Sequence, residues 1–97
     1  MKIRFGVVGI KGFGSFHIKA VVNNPAAELY ALCDIDEDAV KKAAAEHGCK
    51  YYTDYNEMFA DGDIDAVILA TPDQIHREMA VAALNAKKHV LCEKPLA

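Results

Sequence analysis

The sequence predicts an α/β domain with a doubly wound, mostly parallel sheet of about five strands. Three observations predict it. Short apolar runs rich in β-branched and aromatic residues alternate with stretches whose apolar positions recur at helical spacing, the pattern of βαβ units. Ala66 to Leu69 is apolar without alternation, as in a strand buried on both faces of a parallel sheet. Right-handed crossovers then make the doubly wound arrangement the natural solution.

The elements follow in order. Ile3 to Val8 reads as the first strand, and a glycine-rich turn from Gly9 to Gly14 follows it. Phe13, Phe16, His17, Ala20 and Val21 recur at helical spacing up to Asn23, and Asn24-Pro25 ends that helix. Glu28 to Cys33 is the second strand. Asp36 is placed to cap a second helix, with Glu37 and Asp38 at the positive end of its dipole. Val40, Ala43, Ala44 and His47 form one face of it, and Gly48 stands where a C-terminal cap belongs. Cys49 to Tyr52 reads as a short third strand, and Tyr55 to Ala60 as a short helix stopped at Asp61-Gly62-Asp63. After the fourth strand, Ala66 to Leu69, Asp73 caps a helix with Ile75, Met79, Ala83 and Ala86 toward the sheet. Lys87 and Lys88 stand at its negative end. His89 to Cys92 is the fifth strand.

A length of 97 residues holds one domain, and the 53% hydrophobic content supplies its core. A net charge of −3, with scattered Lys and Arg, lacks the basic footprint of a nucleic-acid binder. No membrane span is expected. The longest apolar run, Ala66 to Ala70, is far short of the ~20 residues a spanning helix needs, and the basic start at Lys2 and Arg4 leads into too short and glycine-broken a patch for a signal peptide. Cys33, Cys49 and Cys92 lack the spacing of metal ligands or of a redox pair, so no metal is expected. They read as free thiols in a reducing cytoplasm.

The chemistry centres on the first turn, Gly9-Ile10-Lys11-Gly12-Phe13-Gly14. A dinucleotide-binding turn uses glycines for a tight bend, for close approach to the pyrophosphate and for helix–strand packing. Gly9 and Gly14 match the first and third of these, and Lys11 stands at the second, with Gly12 after it. Lys11 either crowds the pyrophosphate, swings to solvent, or reaches a phosphate as a cation. About twenty residues past the turn, Asp34 ends the second strand, where a carboxylate accepts hydrogen bonds from ribose hydroxyls and repels a 2′-phosphate. The next residue is Ile35 and not an arginine, which favours NAD over NADP. The bland alternatives are a tight strand–helix turn and a solvated loop acid.

Three stretches together resemble the glucose–fructose oxidoreductase / inositol dehydrogenase family: Gly12-Phe13-Gly14-Ser15-Phe16-His17, Ala70-Thr71-Pro72-Asp73-Gln74-Ile75-His76 and Cys92-Glu93-Lys94-Pro95-Leu96-Ala97. Asp63 to Ile68 and Lys88 to Leu91 are similar to that family too, so the resemblance spans nearly the whole chain. It implies a Rossmann-type N-terminal domain of an oxidoreductase that moves a hydride between a nicotinamide cofactor and a sugar, inositol or related polyol. It further implies that Thr71 and Pro72 lie beside the cofactor, with Glu93 in the same motif as Lys94. Lys94 would face the nicotinamide and substrate and carry or polarise the proton. His76 either lines the cofactor cleft or is a capping or packing histidine, and His17 reads as structural.

In the family, a C-terminal domain holds the substrate. The chain ends directly after its fifth strand, so it is expected to be one truncated dinucleotide-binding domain that binds cofactor weakly without turnover. Its fifth strand would be a bare edge inviting self-association, and a homo-oligomer is expected. A different class of function, a non-catalytic nucleotide-binding or redox-sensing module, is favoured by Lys11 and disfavoured by Glu93-Lys94-Pro95.

Overall fold

The computed structural model describes residues 2–10, 13–70 and 81–92, without the side chains of residues 13–16, 91 and 92. The elements are β1 (Ile3–Val8), α1 (Phe13–Asn23), β2 (Ala27–Cys33), α2 (Glu37–His47), β3 (Lys50–Tyr52), α3 (Tyr55–Phe59), β4 (Ala66–Leu69) and β5 (His89–Cys92). Residues 81–85 are helical. The sheet runs β3-β2-β1-β4-β5 with every pair parallel, the doubly wound order expected. β1 is central because it supplies a neighbour on each side, and the chain's direction of travel reverses there.

Two apolar layers flank the sheet. On one face Val7, Leu32 and Ile68 pack with Ile18 and Val21 of α1 and Val40 and Ala44 of α2. On the other, Val8, Ala31, Val67 and Leu69 pack with Met58 and Phe59 of α3 and with Ala83. All four residues of β4 are buried, as a strand covered on both faces requires. Gly6 makes room for this second layer, since a Cβ there would lie 2.6 Å from the Met58 methyl.

The caps of α2 form as the sequence dictates. The Asp36 side chain accepts from the Ala39 N–H at 3.1 Å, and Gly48 takes a left-handed φ of 67° while its N–H donates to the Ala44 carbonyl.

Three expectations change. Among the described side chains of α1, Ile18 and Val21 are buried, with His17 half-buried and Ala20 exposed; burying Ile18 removes more apolar area from water than burying Ala20. His47 is exposed and leaves the α2 face to Val40, Ala43 and Ala44. Lys88 is buried, and its ammonium does not serve the end of the preceding helix. It donates instead to the carbonyls of Asp61 and Ile64, at 2.6 Å each, which ties the loop before β4 to the start of β5. The proposed cap Asp73, with Ile75 and Met79, lies outside the described residues.

Candidate nucleotide-binding site

The site sits at the C-terminal ends of β1 and β2. Parallel strands place their carboxyl ends on one edge of the sheet, and a crevice opens where the strand order reverses, here between β1 and β4. β1 ends at Val8, and Gly9 follows with a φ of 88°, a left-handed backbone that an L side chain resists. The Gly9 N–H donates to the Cys33 carbonyl at 2.8 Å, which anchors the start of the turn to the end of β2. On the other side, the Ala70 N–H donates to the Val8 carbonyl at 2.8 Å. The exits of β2, β1 and β4 are therefore level with one another.

Ile10 folds its side chain back into the α1–α2 layer, so its backbone is held at the mouth of the turn. α1 begins at Phe13, and Gly14 is its second residue. The opening N–H groups of a helix lack intrahelical partners and carry the positive end of the dipole, a ready receptor for phosphate.

Asp34 leaves β2 half-buried, and its two carboxylate oxygens face two backbone amides. One accepts from Ile10 N–H at 3.1 Å and the other from Asp36 N–H at 3.0 Å. The backbone N–H of Asp34 itself donates to the Tyr52 carbonyl at 3.2 Å. The carboxylate therefore stands against the glycine turn with part of its acceptor capacity engaged. Each oxygen can accept more than one hydrogen bond, so further donors can be taken. Beside it Ile35 is 92% exposed, an apolar side chain left in water at the same edge.

Among the residues expected to form the site, the structure brings together Gly9, Ile10 and Asp34, and Phe13 and Gly14 open α1. Lys11, Gly12, Thr71, Pro72, His76, Glu93 and Lys94 lie outside the described residues. The Asp34-to-Asp36 bond has a sequence signal, since an aspartate readily accepts from the N–H two residues on. The bond to Ile10, 24 residues away, has none. Nothing local in the sequence marks Ile35 as exposed.

The thiols bear on the redox alternative. Burial, reinforced by the neighbouring Asp34 charge, pushes the Cys33 thiol up to about 12, and burial pushes Cys49 up to about 11. Both stay protonated at neutral pH and supply no thiolate, the reactive form. Among the described residues no group of His, Cys, Asp or Glu is arranged to hold a metal, and no helix is long and apolar enough to cross a membrane.

Residues 3–97 match the model of an oxidoreductase family described by its NAD-binding Rossmann fold. The inositol 2-dehydrogenase of Salmonella typhimurium is 41% identical over 102 aligned residues, covering 100% of this chain and 30% of that protein. The 4-carboxy-2-hydroxymuconate-6-semialdehyde dehydrogenase of Sphingobium is 38% identical, covering 98% of this chain and 30% of that protein. The crystal structure of scyllo-inositol dehydrogenase from Lactobacillus casei with bound NAD(H) and scyllo-inositol superposes with a TM-score of 0.91 at 32% identity, over 98% of this chain and 28% of that one. The chain thus spans under a third of the length of these relatives. With the doubly wound sheet, the left-handed glycine at the end of β1 and the family match from residue 3 to residue 97, the chain belongs to the oxidoreductase family with the NAD-binding Rossmann fold.

Proposed function

We propose that this chain is the coenzyme-binding half of a dehydrogenase that oxidises a carbinol carbon of an inositol, sugar or related polyol with NAD. The observation that carries this reading is the meeting of Gly9, Ile10 and the Asp34 carboxylate at the reversal point of the sheet. That donor and acceptor set fits a dinucleotide. The opening amides of α1 would face its pyrophosphate. Asp34 would accept from the adenosine ribose hydroxyls and repel a 2′-phosphate, and Ile35 would offer its exposed side chain to the adenine ring.

NAD, when bound, supplies the hydride acceptor. Oxidising a carbinol to a carbonyl also releases the hydroxyl proton, which needs a group to receive or polarise it. Lys94 is the residue proposed for this, on its family resemblance, with Glu93, Thr71, Pro72 and His76 beside the cofactor. A lysine in a partly dry cleft has its pKa lowered toward working pH, which suits proton transfer.

The polyol substrate is proposed from the inositol dehydrogenases among the relatives. The Sphingobium relative, named for a semialdehyde, supports a reading in which the substrate is chosen outside the coenzyme half. Accordingly the 97-residue chain is proposed to be one dinucleotide-binding domain that holds NAD weakly and turns nothing over alone. A cytoplasmic location and a homo-oligomeric whole enzyme belong to the same reading.

Titration calorimetry with NADH and NADPH tests it. The wild-type chain should prefer NADH, and Asp34→Ala should narrow that preference by roughly tenfold as ribose hydrogen bonds and phosphate repulsion are lost together. An unchanged ratio would refute the ribose assignment.

A further inference from the structure

We infer that Asp34 is a positioning residue for the glycine turn as well as a partner for the cofactor, a claim that rests on the function proposed above. The geometry is specific. Gly9 is tied to β2 by its own N–H to the Cys33 carbonyl. The left-handed φ of 88° at Gly9 then takes the chain out of the strand. The next amide, Ile10 N–H, donates to the Asp34 carboxylate at 3.1 Å. The second oxygen holds Asp36 N–H at 3.0 Å, and Asp36 caps α2 through Ala39 N–H. One side chain thus links the start of the turn before α1 to the start of α2.

The chemistry calls for a carboxylate. Two N–H groups reach two different oxygens, and both oxygens of an ionised aspartate accept. Asparagine has one accepting oxygen and a donating NH₂, so it can serve one of the two amides and not both. Alanine serves neither. Two consequences follow. The Ile10 amide is engaged by the protein, so the opening amides of α1 are left to face a pyrophosphate. In addition, any substitution that opens the ribose end to a 2′-phosphate also releases the turn, so cofactor preference and turn geometry are coupled through one residue.

A ligand that cannot touch Asp34 separates the two roles. ADP and 2′,3′-dideoxy-ADP are titrated into wild type, Asp34→Ala and Asp34→Asn, and amide hydrogen exchange at Ile10 and Asp36 is followed in parallel by NMR. The expected result is slow exchange of both amides in wild type, fast exchange of both in Asp34→Ala, and protection of one in Asp34→Asn. Dideoxy-ADP, which lacks the hydroxyls, should bind Asp34→Ala more weakly than wild type by roughly fivefold, the effect of one backbone hydrogen bond. Equal exchange of Ile10 in wild type and Asp34→Ala overturns the inference. So does unchanged dideoxy-ADP affinity with weakened ADP affinity, which leaves the ribose assignment standing. A wild-type chain that binds neither nucleotide overturns the cofactor reading, and the exchange rates then decide the positioning role independently.

Discussion

At the scale of single residues, the two most consequential side chains are charged groups turned onto backbone. Asp34 holds amides, and Lys88 holds carbonyls. Lys88 is 7% exposed, and its stem crosses the edge of the core before its ammonium meets Asp61 and Ile64. A buried ammonium is tolerated because charge-assisted hydrogen bonds replace its water. Lys88→Met keeps most of the stem and removes both bonds, leaving a buried carbonyl short of a donor. Its unfolding free energy should fall by about 2 kcal/mol. Lys87→Met, at the exposed neighbouring position, should stay within about 0.5 kcal/mol of wild type. Equal denaturation midpoints for the two variants would contradict the role given to Lys88.

At the scale of elements, capping residues set the lengths of the helices and packing sets their rotation. α2 is bounded by Asp36 and Gly48, both readable from sequence, because a short side-chain oxygen and a missing Cβ act locally. Gly48 has open space where a Cβ would point, and its φ of 67° is the whole obstacle to substitution. Gly48→Ala should therefore lower the urea midpoint by the equivalent of about 1 kcal/mol with an unchanged m-value, and Gly48→Asn should lose less, since asparagine tolerates the left-handed region. An alanine variant as stable as wild type would mean that the last turn of α2 unwinds at no cost. The rotation of α1 is not local in this sense. Sequence spacing put Phe13, Phe16, His17, Ala20 and Val21 on one stripe, whereas Ile18 joins Val21 in the layer packed with β1, β2 and α2.

At the scale of the whole molecule, the described residues cover the sheet unevenly. The β1–β2 half carries α1 and α2 on one face, whereas Ile3, Phe5, Ala66 and Val90 line an open, largely apolar groove of about 300 Å³ near the edge strand β5. Within the described sheet β5 pairs only with β4. A free strand edge beside apolar surface is a template for pairing with another chain. The 97-residue chain should therefore show a concentration-dependent rise in mass by sedimentation velocity, and His89→Lys, which places a charge on the exposed edge, should reduce it. A single monomeric species at every concentration would refute this expectation.

The sequence by itself determined the alternation of strands and helices, the buried fourth strand, the caps of α2 and the glycine that ends the first strand. These features are legible because each depends on backbone conformation, hydrophobic period or capping chemistry within a few residues, and because strands alternating with helices make parallel βαβ units. The tertiary structure alone decided which stripe of α1 faces inward, where the Lys88 ammonium finds its acceptors, and that Asp34 reaches the amide of Ile10. Each of those depends on distances between residues far apart in the chain, and no local pattern encodes such distances until the sheet has brought the strand ends level.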